Sequence, residues 1–473
     1  PLVLAMDIGS SSVRTAFFSA NGQRCLPSTA SRKYSVKYSG DGGAELDASL
    51  ILRAASSCVR ETLRWRRDSN SHRHAPIAAI SGSSFWHSLL ALDRAHQPLT
   101  PVYMWADTRC VSDAKALRHR LSERVIHART GCMLRAPFWP AKLRWLRRTQ
   151  PSLFKQTAMW VSPADWIYRE LFGSATTSHS MANGTGLYNL KTATWDEELC
   201  RCCRVRPAQF DALAVRAEAA ATSFPELRGV QVFAAIGDGA ASNLGSGADR
   251  AGKIAITIGT SGAVREILSR REATARIPFG LFKYVVDEKR FVLGGAVSNG
   301  GNLREWFLRE FQLSKVNSLS RRAAANDTLT ILPFLVSERA PTWPEDLHGA
   351  ITGLTPAIQA RDLLRAGMTA SFYRLAAILD QLEPATESEV IVSGGVLHAP
   401  ASLAILADCL GRDIRISREL ESSLRGAAVY ALEQIGYQPT PLRPGRIVRC
   451  RPEFAALHRE RRTKQEDLER RLR

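Results

Sequence analysis

A short sequence pattern occurs twice, near the start of the chain and again near its middle. Residues 3–14 read VLAMDIGSSSVR, and residues 254–265 read IAITIGTSGAVR. In each copy an apolar, β-prone run leads through a Gly-Ser or Gly-Thr turn into a second apolar run, which is the pattern of a β-hairpin. Two similar hairpins so far apart in the chain predict two structurally related halves.

The length of the chain agrees with two halves. At 473 residues it exceeds one ordinary hydrophobic core and suggests about two or three domains. Strand-like and helix-like segments alternate after each hairpin, which indicates an α/β fold. The Gly-rich segment 245–252 predicts a boundary just before the second hairpin. We therefore expect an N-terminal domain over residues 1–246, a C-terminal domain over residues 247–473, and an active site in the cleft between them.

Two further segments carry specific helix predictions. The apolar spacing predicts one continuous helix over residues 113–129. The segment 453–473 carries both charge signs at helical spacing with few apolar residues, and it predicts a helix on the surface.

The chain is strongly basic, with 64 Lys and Arg against 45 Asp and Glu and a formal charge of +19. Such a balance favours anionic partners, among them nucleic acid, acidic lipid, nucleotides and sugar acids. The basic residues are dispersed beside apolar residues at helical spacing, so we interpret most of them as solvated helix faces. A nucleic-acid-binding protein stays open as an alternative, and it predicts binding that weakens steeply with salt.

Nine cysteines are scattered through the chain apart from the group Cys200, Cys202 and Cys203. An odd count in a long chain that needs no disulfides fits reduced thiols, and we expect a cytoplasmic protein. The cysteine group could be interpreted as a metal site, but no second cysteine pair or spaced His pair accompanies it. No apolar run reaches the ~18 to 20 residues of a membrane-spanning helix, so no membrane partner is expected.

The two hairpin turns are candidates for phosphate binding. Turns that face one another with exposed N–H groups and hydroxyls form a two-sided cradle for a phosphate chain. Asp7 precedes the first turn at a strand end, where a carboxylate can hold Mg²⁺, and Arg14 adds a forked cation. An ordinary hairpin turn is the alternative for each copy alone. The turn residues are Gly9, Ser10 and Ser11 in the first copy and Gly259, Thr260 and Ser261 in the second.

Asp238 is the candidate for acid–base chemistry. It lies between Gly237 and Gly239, directly after an apolar strand, where α/β proteins place their chemistry. A carboxylate there can accept a proton from a hydroxyl that attacks phosphorus. The alternative is a carboxylate that only caps the following helix.

Two aromatic segments are candidates for binding a polyhydroxylated substrate. Aromatic rings pack on C–H surfaces, while Asp, Arg and His bond hydroxyls. Core tryptophans and a structural Asp–Arg pair are the alternative. The candidate residues are Trp86 and His87 in the first segment and Trp105, Asp107 and Arg109 in the second.

These motifs, in this order, resemble the FGGY family of carbohydrate kinases. The turns at Gly9 and Gly259 are similar to the two phosphate motifs of the family, and Asp238 stands where its catalytic aspartate stands. The Ser393-Gly394-Gly395 turn resembles the adenosine-binding turn, and the segment ending in Gly300 and Gly301 also agrees. The resemblance implies two actin-like, ribonuclease H-like ATPase domains that close on ATP and a sugar.

Within the family, the segments around Trp86 and Trp105 resemble gluconate kinases most. Glycerol kinases carry Arg-Glu where Trp86 and His87 stand, so glycerol is disfavoured, whereas xylulose kinases stay open. Two positions depart from the usual pattern: Trp86 replaces a Met, and Ser337 replaces a Gly. Both could narrow the sugar pocket or shift a loop.

The resemblance implies an ATP- and Mg²⁺-dependent kinase whose favoured substrate is gluconate and whose product is 6-phosphogluconate. Asp238 would accept the hydroxyl proton, Asp7 and Asp238 would position Mg²⁺, and Arg109 or Arg135 would meet the sugar-acid carboxylate. We expect a small-molecule partner and no nucleic acid, and we allow for a homodimer. The open alternatives are another sugar or pentulose kinase and a catalytically silent sugar- or nucleotide-binding protein.

Overall fold

The computed structural model describes residues 1–274, 277–313 and 328–473. Both predicted hairpins are confirmed, with strand β1 (Leu2–Ile8) pairing antiparallel to β2 (Ser12–Ser19) and strand β17 (Lys253–Ile258) pairing antiparallel to β18 (Gly262–Ser269). In β1 all seven residues are buried, because the strand lies in the middle of its sheet.

The first half of the chain contains sixteen strands and nine α-helices among the described residues. The other strands are β3 (Ala30–Lys33), β4 (Lys37–Tyr38), β5 (Ala44–Leu46), β6 (Ile77–Ser84), β7 (Leu90–Leu92), β8 (Val102–Tyr103), β9 (Met159–Val161), β10 (Thr176–Thr177), β11 (Tyr188–Asn189), β12 (Thr194–Trp195), β13 (Ala212–Leu213), β14 (Arg216–Glu218), β15 (Gln231–Phe233) and β16 (Ile236–Gly237). The helices are α1 (Ala48–Asp68), α2 (Val111–Arg118), α3 (Glu123–Thr130), α4 (Trp139–Thr149), α5 (Pro151–Gln156), α6 (Pro163–Phe172), α7 (His179–Gly184), α8 (Glu197–Cys203) and α9 (Asp238–Ser246).

The second half continues the alternation of strands and helices. Its further described strands are β19 (Phe282–Val285), β20 (Arg290–Val297), β21 (Thr330–Leu332), β22 (Ala350–Thr352), β23 (Glu389–Ser393), β24 (Ile414–Ile416) and β25 (Ile447–Val448). Its described helices are α10 (Gly301–Glu310), α11 (Ala360–Gln381), α12 (Pro400–Leu410), α13 (Ser422–Gln434) and α14 (Pro452–Leu472).

The two large sheets share one pairing pattern. In the first sheet the order β3-β2-β1-β6-β15 runs through two antiparallel pairs and then two parallel pairs. In the second sheet the order β20-β18-β17-β23-β24 repeats the same sequence of antiparallel and parallel pairs. The internal sequence repeat therefore corresponds to two sheets of the same topology.

Helix α13 belongs to the second half of the sequence but packs on the first sheet. Its apolar residues, including Leu424 and Ala427, share a buried cluster with Val3 and Ala5 of β1. It also packs closely on α9, because a Cβ on Gly426 would lie only 1.7 Å from the carbonyl oxygen of Ala241. The two halves are thus joined by a helix pair as well as by the chain, and the domain boundary after residue 246 stays a prediction.

Two local predictions are corrected. The single helix over residues 113–129 is wrong, because α2 ends at Arg118 and the side chain of Ser122 caps a separate helix, α3. The C-terminal helix α14 is present but lies only partly on the surface. Its Glu469 pairs with Arg374, and its Gln465 donates to the carbonyl oxygens of Ile331 and Ala370.

Candidate active site

Both hairpin turns line one cleft between the two halves. Ser10 and Ser11 face it from the first turn, and Thr260 and Ser261 face it from the second. Each turn is closed by a backbone hydrogen bond, from the Gly9 N–H to the Ser12 carbonyl and from the Gly259 N–H to the Ser261 carbonyl, both 2.9 Å long. The cleft has an outer chamber of about 1060 Å³ and an inner one of about 260 Å³.

The second turn is surrounded by glycines that the backbone packing requires. The N–H groups of Gly300 and Gly301 donate to the carbonyls of Thr260 and Gly259 at 3.1 and 2.7 Å. A Cβ on Gly301 would lie 2.5 Å from the Gly259 oxygen, and one on Gly394, at φ +92°, would lie 2.5 Å from the Ile258 oxygen. A Cβ on Gly395 would meet no heavy atom closer than 3.8 Å. The predicted nucleotide-binding glycines therefore lie around one turn, where no side chain of theirs covers the backbone.

Asp7 lies at the end of β1 and is buried. Its Oδ1 accepts a hydrogen bond of 2.6 Å from the Ser83 hydroxyl. The Arg14 Nη1 atom lies 3.9 Å from Oδ2 and also donates to Glu421 of the second half at 2.9 Å. Burial raises the pKa of Asp7 to about 6, the Ser83 hydrogen bond opposes this shift, and the charge of Asp238 adds to it. A cation bound here would stabilise the carboxylate.

Asp238 is the first residue of α9 and lines the inner chamber of the cleft. Its Oδ1 accepts from the N–H of Gly239 at 2.7 Å. Burial raises the pKa of this carboxyl, and the guanidinium of Arg265 opposes the shift. A carboxylate with a raised pKa that is open to a cleft can accept a proton from a bound hydroxyl.

Asp7 and Asp238 fit a magnesium ion. Asp7 is buried and Asp238 is half-buried, the charge on Asp238 raises the pKa of Asp7, and oxygen is the ligand atom that Mg²⁺ prefers. Within the described residues, no group of three or more His, Cys, Asp or Glu is placed to hold a metal ion. Water and phosphate oxygens would therefore complete the Mg²⁺ shell, as is usual for this ion.

Trp86 fills a slot that is lined by glycines. A Cβ on Gly237 would lie 1.7 Å from Trp86 Cε2, and a Cβ on Gly184 would lie 2.2 Å from Trp86 Cδ1. The indole N–H donates to the Ser180 carbonyl at 3.1 Å, and the Ser180 hydroxyl accepts from the Gly237 N–H at 3.2 Å. The glycine before Asp238 therefore admits the Trp86 ring, which packs directly against the backbone that carries Asp238.

His87 faces the inner chamber in a constrained conformation. Its backbone has φ +70°, and its ring lies 4.7 Å from Phe138 between centroids. Burial lowers the pKa of His87 to about 3, so the ring is neutral at pH 7. Because Nδ1–H donates to the Gly184 carbonyl at 2.5 Å, Nε2 is left as a hydrogen-bond acceptor. A substrate hydroxyl is a suitable donor for it.

The second aromatic segment is only partly turned toward the cleft. Trp105 and Asp107 line the cleft, but the Asp107 oxygens already accept from the Ala44 N–H and from Arg109. The Arg109 guanidinium pairs with Asp107 and Glu45 and stacks on Trp145 at 4.7 Å. Arg109 does not line the cleft. The structure thus directs this predicted substrate-binding side chain into an ion-pair network, because two carboxylates and an aromatic face lie nearer to it.

Arg135, the other predicted partner of a substrate carboxylate, also forms ion pairs within the protein. Its guanidinium bonds Glu123 and, across the cleft, Glu345 of the second half, with Nη1 2.9 Å from Glu345 Oε2. Arg118 donates to the same Glu345 oxygen at 2.6 Å. These contacts tie the two halves together at the cleft and leave Arg135 without a free face for a substrate.

Comparison with known proteins places the chain in a family. The model of the N-terminal domain of the FGGY family of carbohydrate kinases matches residues 2–245, and the model of its C-terminal domain matches residues 254–434. The chain belongs to the FGGY family. The gluconokinase of Bacillus subtilis (strain 168) is 28% identical over 460 residues, covering 92% of this chain and 88% of the relative.

Two solved structures extend the similarity of this FGGY kinase to the whole fold. A ligand-bound xylulose kinase and a gluconate kinase, both from Lactobacillus acidophilus, superpose with TM-scores of 0.86 and 0.85, each at 25% identity. Each match covers 100% of this chain and 98% of the other. The chain is therefore a sugar phosphotransferase with two actin-like domains and ATP as co-substrate, which confirms the predicted fold class and enzyme class.

Several cleft residues of this FGGY kinase were not among the predicted site residues. The inner chamber is also lined by two arginines and several aromatic rings, namely Arg265, Arg339, Phe138, Phe282, Tyr284 and Trp343. Arg265 ends the second copy of the repeated pattern, and Arg339 lies two residues after Ser337, so both were visible in the sequence. Their orientation was not, because it depends on strand register and on the other half of the molecule.

Other predictions about this FGGY kinase have different outcomes. In the described part of the chain, no helix is both long enough and apolar enough to cross a membrane. None of the nine cysteines, all of them described, forms a disulfide. The homodimer, the absence of a nucleic-acid partner and the cytoplasmic location stay predictions.

Proposed function

We propose that this kinase phosphorylates a sugar acid, with gluconate as the favoured acceptor and 6-phosphogluconate as the product. The observation that carries the proposal is the position of Asp238, which faces the inner chamber together with Trp86, His87 and residues of both turns. The similarity to a gluconokinase over 92% of the chain favours gluconate as the acceptor.

Asp238 would act as the general base. Its carboxylate, which lines the inner chamber, can accept the proton of the terminal hydroxyl as that oxygen attacks the γ-phosphorus of ATP. Burial raises the pKa of Asp238 toward the working pH, which makes its carboxylate a stronger base. Because phosphoryl transfer leaves little covalent chemistry to the protein, positioning and charge stabilisation would supply most of the rate.

The sugar would be oriented by neutral groups on the wall of the inner chamber. The free Nε2 of His87 can accept a hydrogen bond from a hydroxyl, since Nδ1 is already used. Trp86, Trp105 and Phe138 supply aromatic faces for the C–H surfaces of the carbon chain.

The nucleotide would lie with its phosphates between the two hairpin turns, which face one another across the cleft. The Gly9–Ser11 and Gly259–Ser261 turns would donate N–H and hydroxyl groups to its phosphates, with Arg14 beside the first turn. Gly300, Gly301, Gly394 and Gly395 would accommodate the rest of the nucleotide against bare backbone. Asp7 and Asp238 would hold Mg²⁺, which neutralises the charge of the phosphate oxygens when it is bound.

Xylulose is the second candidate acceptor. The xylulose kinase from Lactobacillus acidophilus superposes as well as the gluconate kinase does, and a neutral pentulose would use the same hydroxyl-binding groups. The two candidates differ in charge, since gluconate carries a carboxylate and xylulose does not.

The test is ADP release measured with a panel of gluconate, xylulose, glycerol and related sugars. We expect the highest kcat/KM with gluconate, and a higher value for xylulose would overturn that choice of acceptor. Asp238→Asn should lower turnover by about 100-fold or more while ATP binding is retained, as is usual when a general base is lost. Asp413→Asn, at an exposed ion pair with Arg449, is the matched control and should be active. Near-normal turnover of Asp238→Asn would refute its role.

A further inference from the structure

Two arginines stand on the second-half wall of the inner chamber. Arg265 comes from β18 and Arg339 from the segment after β21, and both line the chamber with Asp238 and Trp86. A Cβ on Gly239 would lie 2.7 Å from Arg265 Nε, so this guanidinium lies directly beside the backbone of the proposed base.

Arg265 is a partly buried arginine with unused hydrogen-bond donors. Its Nε and Nη1 atoms are inaccessible to solvent and have no hydrogen-bond partner. Burial lowers the pKa of this guanidinium, and the charge of Asp238 opposes the shift. A buried donor without an acceptor is rare in proteins and points to an acceptor that a ligand supplies.

Arg339 is held in place but keeps part of its guanidinium for the chamber. Its Nε donates to the Ser298 hydroxyl at 3.2 Å, its Nη2 donates to the Val297 carbonyl at 3.0 Å, and its plane stacks over Trp105 at 4.6 Å. Burial lowers the pKa of Arg339, and the nearby charge of Arg265 is among the causes that act in the same direction. The two cations therefore repel one another.

The protein itself does not neutralise this pair by direct contact. Among the described residues, neither guanidinium forms a salt bridge within 4.0 Å. The neighbouring Glu338 turns its two oxygens to the Ser298 N–H and to the Asn299 side chain. Two partly buried cations without a bonded carboxylate favour an anion between them.

We propose that Arg265, assisted by Arg339, binds the carboxylate of the acceptor and thereby selects sugar acids over neutral sugars. This inference rests on the proposed function. A guanidinium matches a carboxylate with two parallel hydrogen bonds, which neutral polyols cannot reproduce. Arg265, Arg339 and Asp238 line the same chamber, so one flexible six-carbon acid would place its carboxylate at the arginines and its terminal hydroxyl at Asp238.

The test compares gluconate with glucitol, which has the same carbon chain but a CH₂OH group in place of the carboxylate. Binding of each compound to the nucleotide-free protein is measured by titration calorimetry, and KM for ATP is measured separately. Arg265→Met should weaken gluconate binding by about 10- to 100-fold, which is the loss expected for charge-assisted hydrogen bonds, and should leave glucitol binding nearly unchanged. Arg339→Met should act in the same direction with a smaller effect.

The matched control is Arg290→Met. Arg290 is also a partly buried arginine of the second sheet, but its guanidinium bonds Asp287 and Glu433. This variant should lose stability without a change in the preference for gluconate. Arg265→Lys keeps the charge but not the fork, so it should give an intermediate loss, and it carries the test if Arg265→Met does not fold.

Three outcomes would overturn the inference. Unchanged gluconate binding in Arg265→Met would remove the arginine from acceptor recognition. A rise in KM for ATP with unchanged gluconate binding would assign the guanidinium to a phosphate of the nucleotide instead. Equal weakening of gluconate and glucitol would indicate a general disturbance of the pocket. If the unaltered protein phosphorylates neutral sugars and does not bind gluconate, the proposed acceptor itself is wrong, which is a separate result.

Discussion

The ends of strands β1 and β17 occupy the same place in two sheets of the same topology, yet they carry different chemistry. Asp7 lies opposite Ser83 of the adjacent parallel strand and accepts from its hydroxyl at 2.6 Å. Thr257 lies opposite Ser393 of the corresponding strand, and the two hydroxyls are 3.1 Å apart. One scaffold position thus holds a buried carboxylate in the first half and a neutral hydroxyl in the second.

Two residues earlier on each first strand, the pairing partner is charged in the second half and apolar in the first half. On the second hairpin Arg265 stands opposite Ala255, whereas on the first hairpin Ala16 stands opposite Ala5. In the inner chamber the first half therefore presents the carboxylate of Asp238, near the buried Asp7, and the second half presents the guanidiniums of Arg265 and Arg339. A repeated fold supplies two similar walls, and individual side chains give the two walls of this chamber opposite charges.

The largest expected effect comes from replacing, one at a time, the side chains at the two equivalent strand ends. Asp7→Asn should lower turnover by about 100-fold or more, because the carboxylate proposed to hold Mg²⁺ beside the phosphates is lost. Thr257→Val should change turnover by less than about 10-fold, since only a hydrogen bond between neutral hydroxyls is removed. Steady-state kinetics at several Mg²⁺ concentrations measure both. Similar losses in the two variants would show that the two strand ends do not differ in function.

A smaller effect is expected where the halves are joined through α9 and α13. Gly426→Ala places a Cβ against the backbone of Ala241 and should lower the free energy of unfolding by about 1–3 kcal/mol, as overpacking usually does. Gly40→Ala is the control, because a Cβ there meets no heavy atom within 4 Å. Denaturant unfolding measures the difference. An unchanged midpoint for Gly426→Ala would mean that the helix pair adapts without cost.

A comparable effect that appears only on acidification concerns two histidines, one in each half. Burial lowers the pKa of His87 to about 3 and that of His458 to about 4, from an ordinary value of 6.5. Because the unfolded chain binds the extra proton first, each neutral histidine contributes stability at pH 7 that is lost as the pH falls below 6.5. Relative to His458→Asn, the unfolding free energy of the unaltered protein should fall by about 2 kcal/mol between pH 7 and pH 5.

The same comparison at His87 separates stability from activity. The difference in unfolding free energy between the unaltered protein and His87→Asn should change with pH in a similar way. His87→Asn should also weaken sugar binding, since His87 lines the chamber. His458 instead bonds the hydroxyl of Tyr373 at 2.8 Å in the second half, so its variant should bind sugar normally. A stability difference between either variant and the unaltered protein that does not change with pH would contradict the shifted pKa values.

Some features of the site could be predicted from the sequence because they depend on local chemistry. The strand–turn–strand pattern at Gly9 and Gly259 predicted both hairpins, since small turn residues between apolar runs leave few alternatives. Asp238 was identifiable because an acid between two glycines after a strand is an unusual local signal. The position of Arg109 was not predictable, because its partner Glu45 is distant in sequence.

The sequence by itself determined that this protein has two related halves, each with a small-residue hairpin turn, and one acid between two glycines, because these features reside in short segments. Only the tertiary structure decided what the rest of the chain does at the cleft. It placed α13 on the first sheet, closed the glycine slot around Trp86, satisfied Arg109 and Arg135 with carboxylates, and left Arg265 with free donors. The physical reason is that a charged side chain takes its role from the groups that surround it after folding, and most of those groups are far away in the sequence.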